Sequence, residues 1–261
     1  MLYYFEEVGL IVLVILVGYV LTKNYFLHKE RRIKEIEEEE LEMIESKSIK
    51  GVIFESSKNI TKFSKRINKL FQKTFEGLGS KDISTLKENQ TTVSKLDKDV
   101  DLIANNVFYF IKNLDEASKE SASDFHMKIL GGLENITLSM QTITKSIYKH
   151  FNNNHRGLTY NQLRELKELE DDMNNFFKKI VQTFEKQKYE EIKSIFSIKE
   201  SLIKSLNKKI KSQVSRTKDK DSGPRNTRLY FEFLNKTQNI VSEYLKILEL
   251  YSEKYVQKIE K

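Results

Sequence analysis

Apolar residues recur every three or four positions along most of the chain, the spacing that lays one stripe along one face of an α-helix. Ile53, Ile60, Phe63, Ile67 and Leu70 form a first row, which Gly77, Gly79 and Ser80 break. Ile83, Leu86, Val93, Leu96, Val100, Ile103, Val107, Phe110 and Leu114 form a second. After a soft break around Ala117 to Ser123, Phe125, Ile129, Leu133, Ile136, Met140, Ile143 and Ile147 form a third. The stretch His150 to Leu158 reads HFNNNHRGL, and its three Asn and one Gly tolerate the left-handed backbone that ends helices. Thr159 and Gln162 then make a T-x-x-Q capping box that opens a new helix. Its stripe is Leu163, Leu166, Met173, Phe177, Ile180 and Phe184; Ile192, Ile195, Leu202, Leu206 and Ile210 mark another. Lys218 to Arg225, KDKDSGPR, is the strongest loop signal, and the last helix carries Tyr230, Phe233, Thr237, Val241, Tyr244, Leu248, Tyr251 and Tyr255. No alternating strand pattern is present. The expected fold is all-α: about six rods, the longer ones roughly 40 to 50 Å, packed antiparallel into an elongated helical bundle.

The first 27 residues break with this pattern. Val8 to Leu21 reads VGLIVLVILVGYVL without a charge, and Val8 to Leu27 matches the roughly 20 helical residues that cross a bilayer if Lys23 snorkels to the interface. Tyr3, Tyr4 and Phe5 precede it, and Tyr19, Tyr25 and Phe26 lie at its other end, as an interfacial belt does. Glu6 and Glu7 stand before the run; Lys23, Lys29, Arg31, Arg32 and Lys34 follow it. That order is the reverse of a secretory signal, and no A-x-A site follows. The expectation is a retained N-terminal transmembrane helix over residues 1–27 with the rest of the chain in the cytoplasm; a buried core helix is the competing reading. Residues 28–50, with the acidic run Glu37 to Glu40, read as a charged juxtamembrane helix, and residues 51–261 as the cytoplasmic bundle.

Composition narrows the chemistry. Zero Cys removes disulfides, thiolate nucleophiles and Cys-based zinc sites, and one Pro in 261 residues argues against a many-turned β fold. No G-x-S-x-G, P-loop, G-x-G-x-x-G or H-E-x-x-H is present, so an enzyme is not expected, nor a catalytic residue, metal site or cofactor. His150 and His155 are five apart across a loop, too little for a metal site by themselves. Carboxylates four apart at Asp97/Asp101, Glu120/Asp124 and Glu168/Asp172 read as solvated faces among 38 acids. Basic residues gather at Lys62, Lys65, Arg66, Lys69 and Lys73, and at Lys199, Lys204, Lys208, Lys209, Lys211 and Arg216. Interleaved acids spread the net charge of +7 thinly, so nucleic acid is not an expected partner; an anionic membrane face is simpler.

Two segments resemble a known family. His150-Phe-Asn-Asn153-Asn154-His155-Arg-Gly157-Leu158 looks like the H-x-x-N-N-H-x-G-L signature in the cytoplasmic PhoU-like helical domain of certain bacterial inorganic phosphate transporters of the sodium-phosphate cotransporter type. Val107 to Ile147 is similar to the helix pair before that signature, and Arg225-Asn226-Thr-Arg-Leu229-Tyr230 looks like the R-N-x-x-L-Y element that opens the family's last helix. The likeness spans roughly residues 100 to 250. It implies a bundle of three-helix repeats that follows the last transmembrane helix of a multi-span permease and regulates phosphate uptake. The permease core has no counterpart in this sequence, and the acidic metal motifs of PhoU proteins are not reproduced.

The expectation from the resemblance is therefore the C-terminal, membrane-anchored regulatory portion of a phosphate transporter, single-pass in the inner (cytoplasmic) membrane. Its expected partners are the membrane and a permease subunit or domain, with a homo-oligomer left open. The alternative is a membrane-tethered coiled-coil signalling or scaffold protein unrelated to phosphate. Binding or docking candidates are His150, Asn153, Asn154 and His155 from the first signature and Arg225 and Asn226 from the second.

Overall fold

The computed structural model describes Lys23 and residues 49–187, 189, 192–218 and 223–259. The anchor expected at 1–27 and nearly all of the charged stretch at 28–50 lie outside the described residues, Lys23 apart. Among the described residues no helix is long and apolar enough to cross a membrane.

Six helices account for the described fold: α1 (Ile49–Ser80), α2 (Ile83–Lys112), α3 (Glu116–Asn152), α4 (Tyr160–Glu185), α5 (Ile192–Lys218) and α6 (Pro224–Ile259). Each start for which a cap is seen uses a short polar side chain that accepts from the free backbone N–H groups of the first turn. Asp82 accepts from Ser84 at 2.9 Å and Asp115 from Ser118 at 2.9 Å. Thr159 and Gln162 close the capping box that the sequence announces.

Two boundaries differ from the sequence reading. The first helix runs through Gly77 and Gly79 and stops only at Lys81, which takes a left-handed φ of 58°. Gly77 is kept in the helix by packing: a Cβ there would lie 2.8 Å from Leu86 of the next helix, so its small size permits the close approach of α1 to α2. The second break falls at Asn113–Asp115, not at Ala117 to Ser123. That Ala/Ser/Lys/Glu stretch is polar but helix-compatible, and the Asp115 cap decides the start.

Short turns make successive helices antiparallel, and the packing falls into two equivalent halves. In one, α2 lies against α1 and α3; in the other, α5 lies against α4 and α6. The halves join through their outer helices, α1 on α4 and α3 on α6. One apolar cluster runs through all six helices, with a satellite of Val52, Val107, Ile111, Leu114 and Ala122 near the start of α1. Aromatic rings of α6 form the seam between the halves. Phe233 meets Phe71 of α1 at 5.6 Å between centroids, Tyr244 meets Phe177 of α4 at 5.7 Å, and Tyr251 meets Phe125 of α3 at 5.1 Å and Phe184 of α4 at 4.8 Å. Tilted and edge-to-face pairs of this kind add to the burial of the rings themselves.

Phe71 is 1% exposed and touches rings from both α4 and α6, so Phe71→Ala is expected to cost about 3–5 kcal/mol in denaturant unfolding. Leu138→Ala, on the exposed face of α3, is expected to stay within about 0.5 kcal/mol. A second expectation concerns His126 on α3. Burial, outweighing the pull of the Ala104 backbone, holds its ring below the usual histidine range. The unfolded chain therefore binds a proton at His126 that the folded chain refuses. The stability is complete above about pH 6.5 and declines as pH falls below it, and a melting-temperature series on His126→Leu is expected to show a shallower acid limb.

Candidate functional site

The antiparallel order puts three turns at one end of the bundle: Lys81–Asp82, residues 153–159 and the start of α6. The second of these is built on the end of α3. Asn154 has a φ of 54°, a conformation Asn tolerates better than most residues. Its N–H bonds the Phe151 carbonyl at 2.9 Å, and the His155 N–H bonds the His150 carbonyl at 3.1 Å. This pair of bonds is a Schellman motif, so Asn153 and Asn154 are accounted for first as the stop of α3.

The two signature segments meet here. The Arg225 guanidinium donates to His155 Nδ1 at 3.0 Å, and Asn226 Nδ2 donates to the Gly157 carbonyl at 2.8 Å. His150, 6% exposed, donates from Nε2 to the Arg156 carbonyl at 2.7 Å, and its ring lies edge-on to His155 with centroids 5.1 Å apart. A carbonyl only accepts and a guanidinium only donates, so His150 has a proton on Nε2, and neutral His155 carries its proton on Nε2 as well. Partial burial, followed by the positive charge of Arg225 and the neighbouring His150, holds the His155 ring below the usual histidine range. The first turn reaches this segment through Lys81, whose flexible side chain lies against Gly157.

Between the last turns of α3 and the first turns of α6 the surface forms a concavity of about 380 Å³. His150, Asn153, His155 and Arg225 line it, while Asn154 and Asn226 do not. Lys149, Arg228 and Glu232 also line it, and the sequence reading missed all three. Arg228 follows Arg225 by three positions in a helix, which places both on one face and was a usable signal. A larger concavity of about 650 Å³ runs along α5 and is lined from that helix alone by Lys199, Lys204, Lys208 and Lys211 among others.

Beneath the turn end lies a polar network that sequence spacing did not reveal. Arg216 of α5 donates twice to Glu165 of α4, at 2.9 and 2.8 Å, while the Tyr230 hydroxyl of α6 donates to the same carboxylate. Gln162 donates to Gln213 at 2.9 Å, and Gln213 to Thr227 at 3.1 Å. The expected basic patches are thus partly structural. Arg216 is absorbed by Glu165, and Lys209, 6% exposed, by Glu168 at 3.0 Å. Across helices, Lys65 pairs with Glu185, Arg66 with Asp99, and Lys73 with Glu88 at 3.6 Å. Of the carboxylate pairs, Glu168 meets Lys209, Asp172 accepts from Ser205 at 3.4 Å, and Asp124 meets Lys128 at 2.7 Å. Among the described residues no group of three or more His, Asp or Glu is placed to hold a metal ion.

Two three-helix units joined through their outer helices define a PhoU-like bundle. The chain is similar to the crystal structure of the phosphate transport system regulatory protein PhoU from Streptococcus pneumoniae, with a TM-score of 0.64 and 14% identity over 78% of this chain and 95% of that one. At this identity the likeness is one of fold. No protein-family model matches the chain, and no curated protein matches it.

Burial alone would raise the Glu165 carboxyl, but the two Arg216 bonds and the Tyr230 hydroxyl outweigh it and hold the group below its ordinary value of 4.5. The side chains of Arg216 and Glu165 are only 13% and 15% exposed. Glu165→Ala, which strands the guanidinium, is therefore expected to cost about 3 kcal/mol at neutral pH. Because the folded carboxyl is the stronger acid, its contribution is present above the unfolded value and lost as pH falls through the folded one. The gap between wild type and variant in denaturant unfolding should narrow as pH falls below about 4.5.

Proposed function

We propose that this chain is a regulatory module of inorganic phosphate transport, held at the inner membrane by Val8 to Leu27 and acting on a multi-span permease by helix docking. The observation that carries the reading is the meeting of the two transporter-like signatures, through Arg225–His155 and Asn226–Gly157, at one end of a PhoU-like bundle. The protein of similar fold is described as a phosphate transport system regulatory protein. The charge order around the apolar run supports a tether with the bundle on the cytoplasmic side. The 261 residues contain one apolar run long enough to span a bilayer, and one helix does not enclose a path for a hydrated anion. Translocation is accordingly assigned to the partner, and this chain is given no catalytic role.

The test combines location, partnership and uptake. The full-length chain is expected to stay in the membrane fraction through alkaline extraction, and deletion of residues 1–27 to release it. Crosslinking in membranes is expected to recover a multi-span permease, and deletion of the gene to change the initial rate of labelled phosphate uptake. Unchanged uptake together with no permease among the crosslinked proteins would return the chain to the alternative of a tethered scaffold.

A further inference from the structure

We propose that the concavity between the end of α3 and the start of α6 binds a free, phosphate-bearing anion, held by Arg225 and Arg228 of α6 and Lys149 of α3. The proposal deepens the regulatory reading by naming what the module senses.

Three cations against one carboxylate, Glu232, leave the lining net positive without any charge from the histidines. None of Lys149, Arg225 and Arg228 is in an ion pair among the described residues, whereas Lys209 and Arg216 in the α5 cluster are taken up by Glu168 and Glu165. The helix dipoles do not decide the matter, because a C-terminus (α3) and an N-terminus (α6) face the same space with opposite sign. Side-chain charge therefore sets the preference. Two guanidiniums three residues apart on α6 offer paired planar donors, the geometry that suits tetrahedral oxyanions. Their positions are fixed from below: Leu229 is 5% exposed and Tyr230 is tied to Glu165, so the α6 turn that carries Arg225 and Arg228 is anchored on both sides. The volume falls in the usual range of small-molecule sites, roughly 300–1,000 Å³.

Position argues for a soluble ligand over a lipid headgroup. The described bundle begins at Ile49, at the far end of α1. A helix of 32 residues rises roughly 48 Å, so the concavity faces away from the end at which the N-terminal segment joins. His155 supplies a further signature. Its Nδ1 accepts from Arg225; an anion that draws the guanidinium away frees Nδ1 and favours a proton there. The groups facing it are Arg225 and His150, with Lys149, Arg228 and Glu232 across the concavity.

Titration calorimetry on the full-length chain in phosphatidylcholine nanodiscs tests this, with inorganic phosphate, pyrophosphate, ATP and sulfate as probes. At least one phosphate probe is expected to bind, and Arg225→Gln with Arg228→Gln to weaken it roughly tenfold or more. Lys204→Gln with Lys208→Gln, on the α5 groove, is expected to leave it unchanged, and circular dichroism to show all variants folded. Sulfate, whose charge does not titrate near neutrality, is expected to bind more tightly as pH falls from about 7.5 to about 5.5, and His155→Gln to flatten that slope. No binding by any phosphate probe, or affinity indifferent to the double arginine variant, overturns the proposal. So does loss of binding when phosphatidylglycerol is added to the discs, which assigns the concavity to headgroups, or displacement of the probes only by acidic peptides. A chain that binds no anion yet alters uptake on deletion sinks this inference alone; one that binds anion without affecting uptake sinks the transport reading alone.

Discussion

Tyr244, Tyr251 and Phe233 hold the architecture together because they stand where the two three-helix units close on one another. A three-helix unit with one apolar stripe per helix leaves its outer helices with a second face to bury. Here α1 and α3 of one half find α4 and α6 of the other. The rings of α6 fill that seam, so α6 touches α1 through Phe71, α3 through Phe125 and α4 through Phe177 and Phe184. Removing the seam would leave two apolar-faced units in water, a larger loss than any single ring contact contributes.

That closure also fixes where the turns fall. With helices running alternately up and down, the α1–α2 and α3–α4 turns and the start of α6 share one end. Residues 70 apart in sequence, His155 and Arg225, come within hydrogen-bonding distance because one follows the end of α3 and the other lies in the first turn of α6 beside it. The end is stiffened from beneath by polar bonds that link α4, α5 and α6 through Glu165, Arg216, Gln213 and Tyr230. Such bonds are expensive to break singly, since each partner left behind is partly buried.

Helix number, the stripes and the capping box at Thr159 were legible because they are local: periodicity and caps are written within a few residues. The glycines at 77 and 79 misled; at Gly77 the cost in a helix is offset by close packing on Leu86 that only the folded chain contains. At the site, His150, Asn153, His155 and Arg225 were legible through their resemblance, and their convergence was not, because nothing local says which loops share an end. Lys149, Arg228 and Glu232 look like any solvated helix face until a neighbouring helix makes that face one wall of a concavity. Lys209 and Arg216 look equally available, and buried partners on α4 take them.

The same geometry separates two tasks along the rods. The chain reaches the bundle at Ile49, near the satellite cluster of Val52, Val107 and Leu114, and the charged concavity lies at the opposite end. Between these two ends run close-packed helices, and a close-packed interior transmits strain. Arg228 and Tyr230 are two residues apart on α6, and the Tyr230 hydroxyl holds Glu165, which also holds Arg216 on α5. Further along the same helix, Tyr251 is stacked on Tyr189 and edge-on to Phe125 and Phe184, close to where α1 begins: its hydroxyl lies 3.5 Å from the Ile53 carbonyl. α6 is thus one continuous element from the charged turn to the end at which α1 begins.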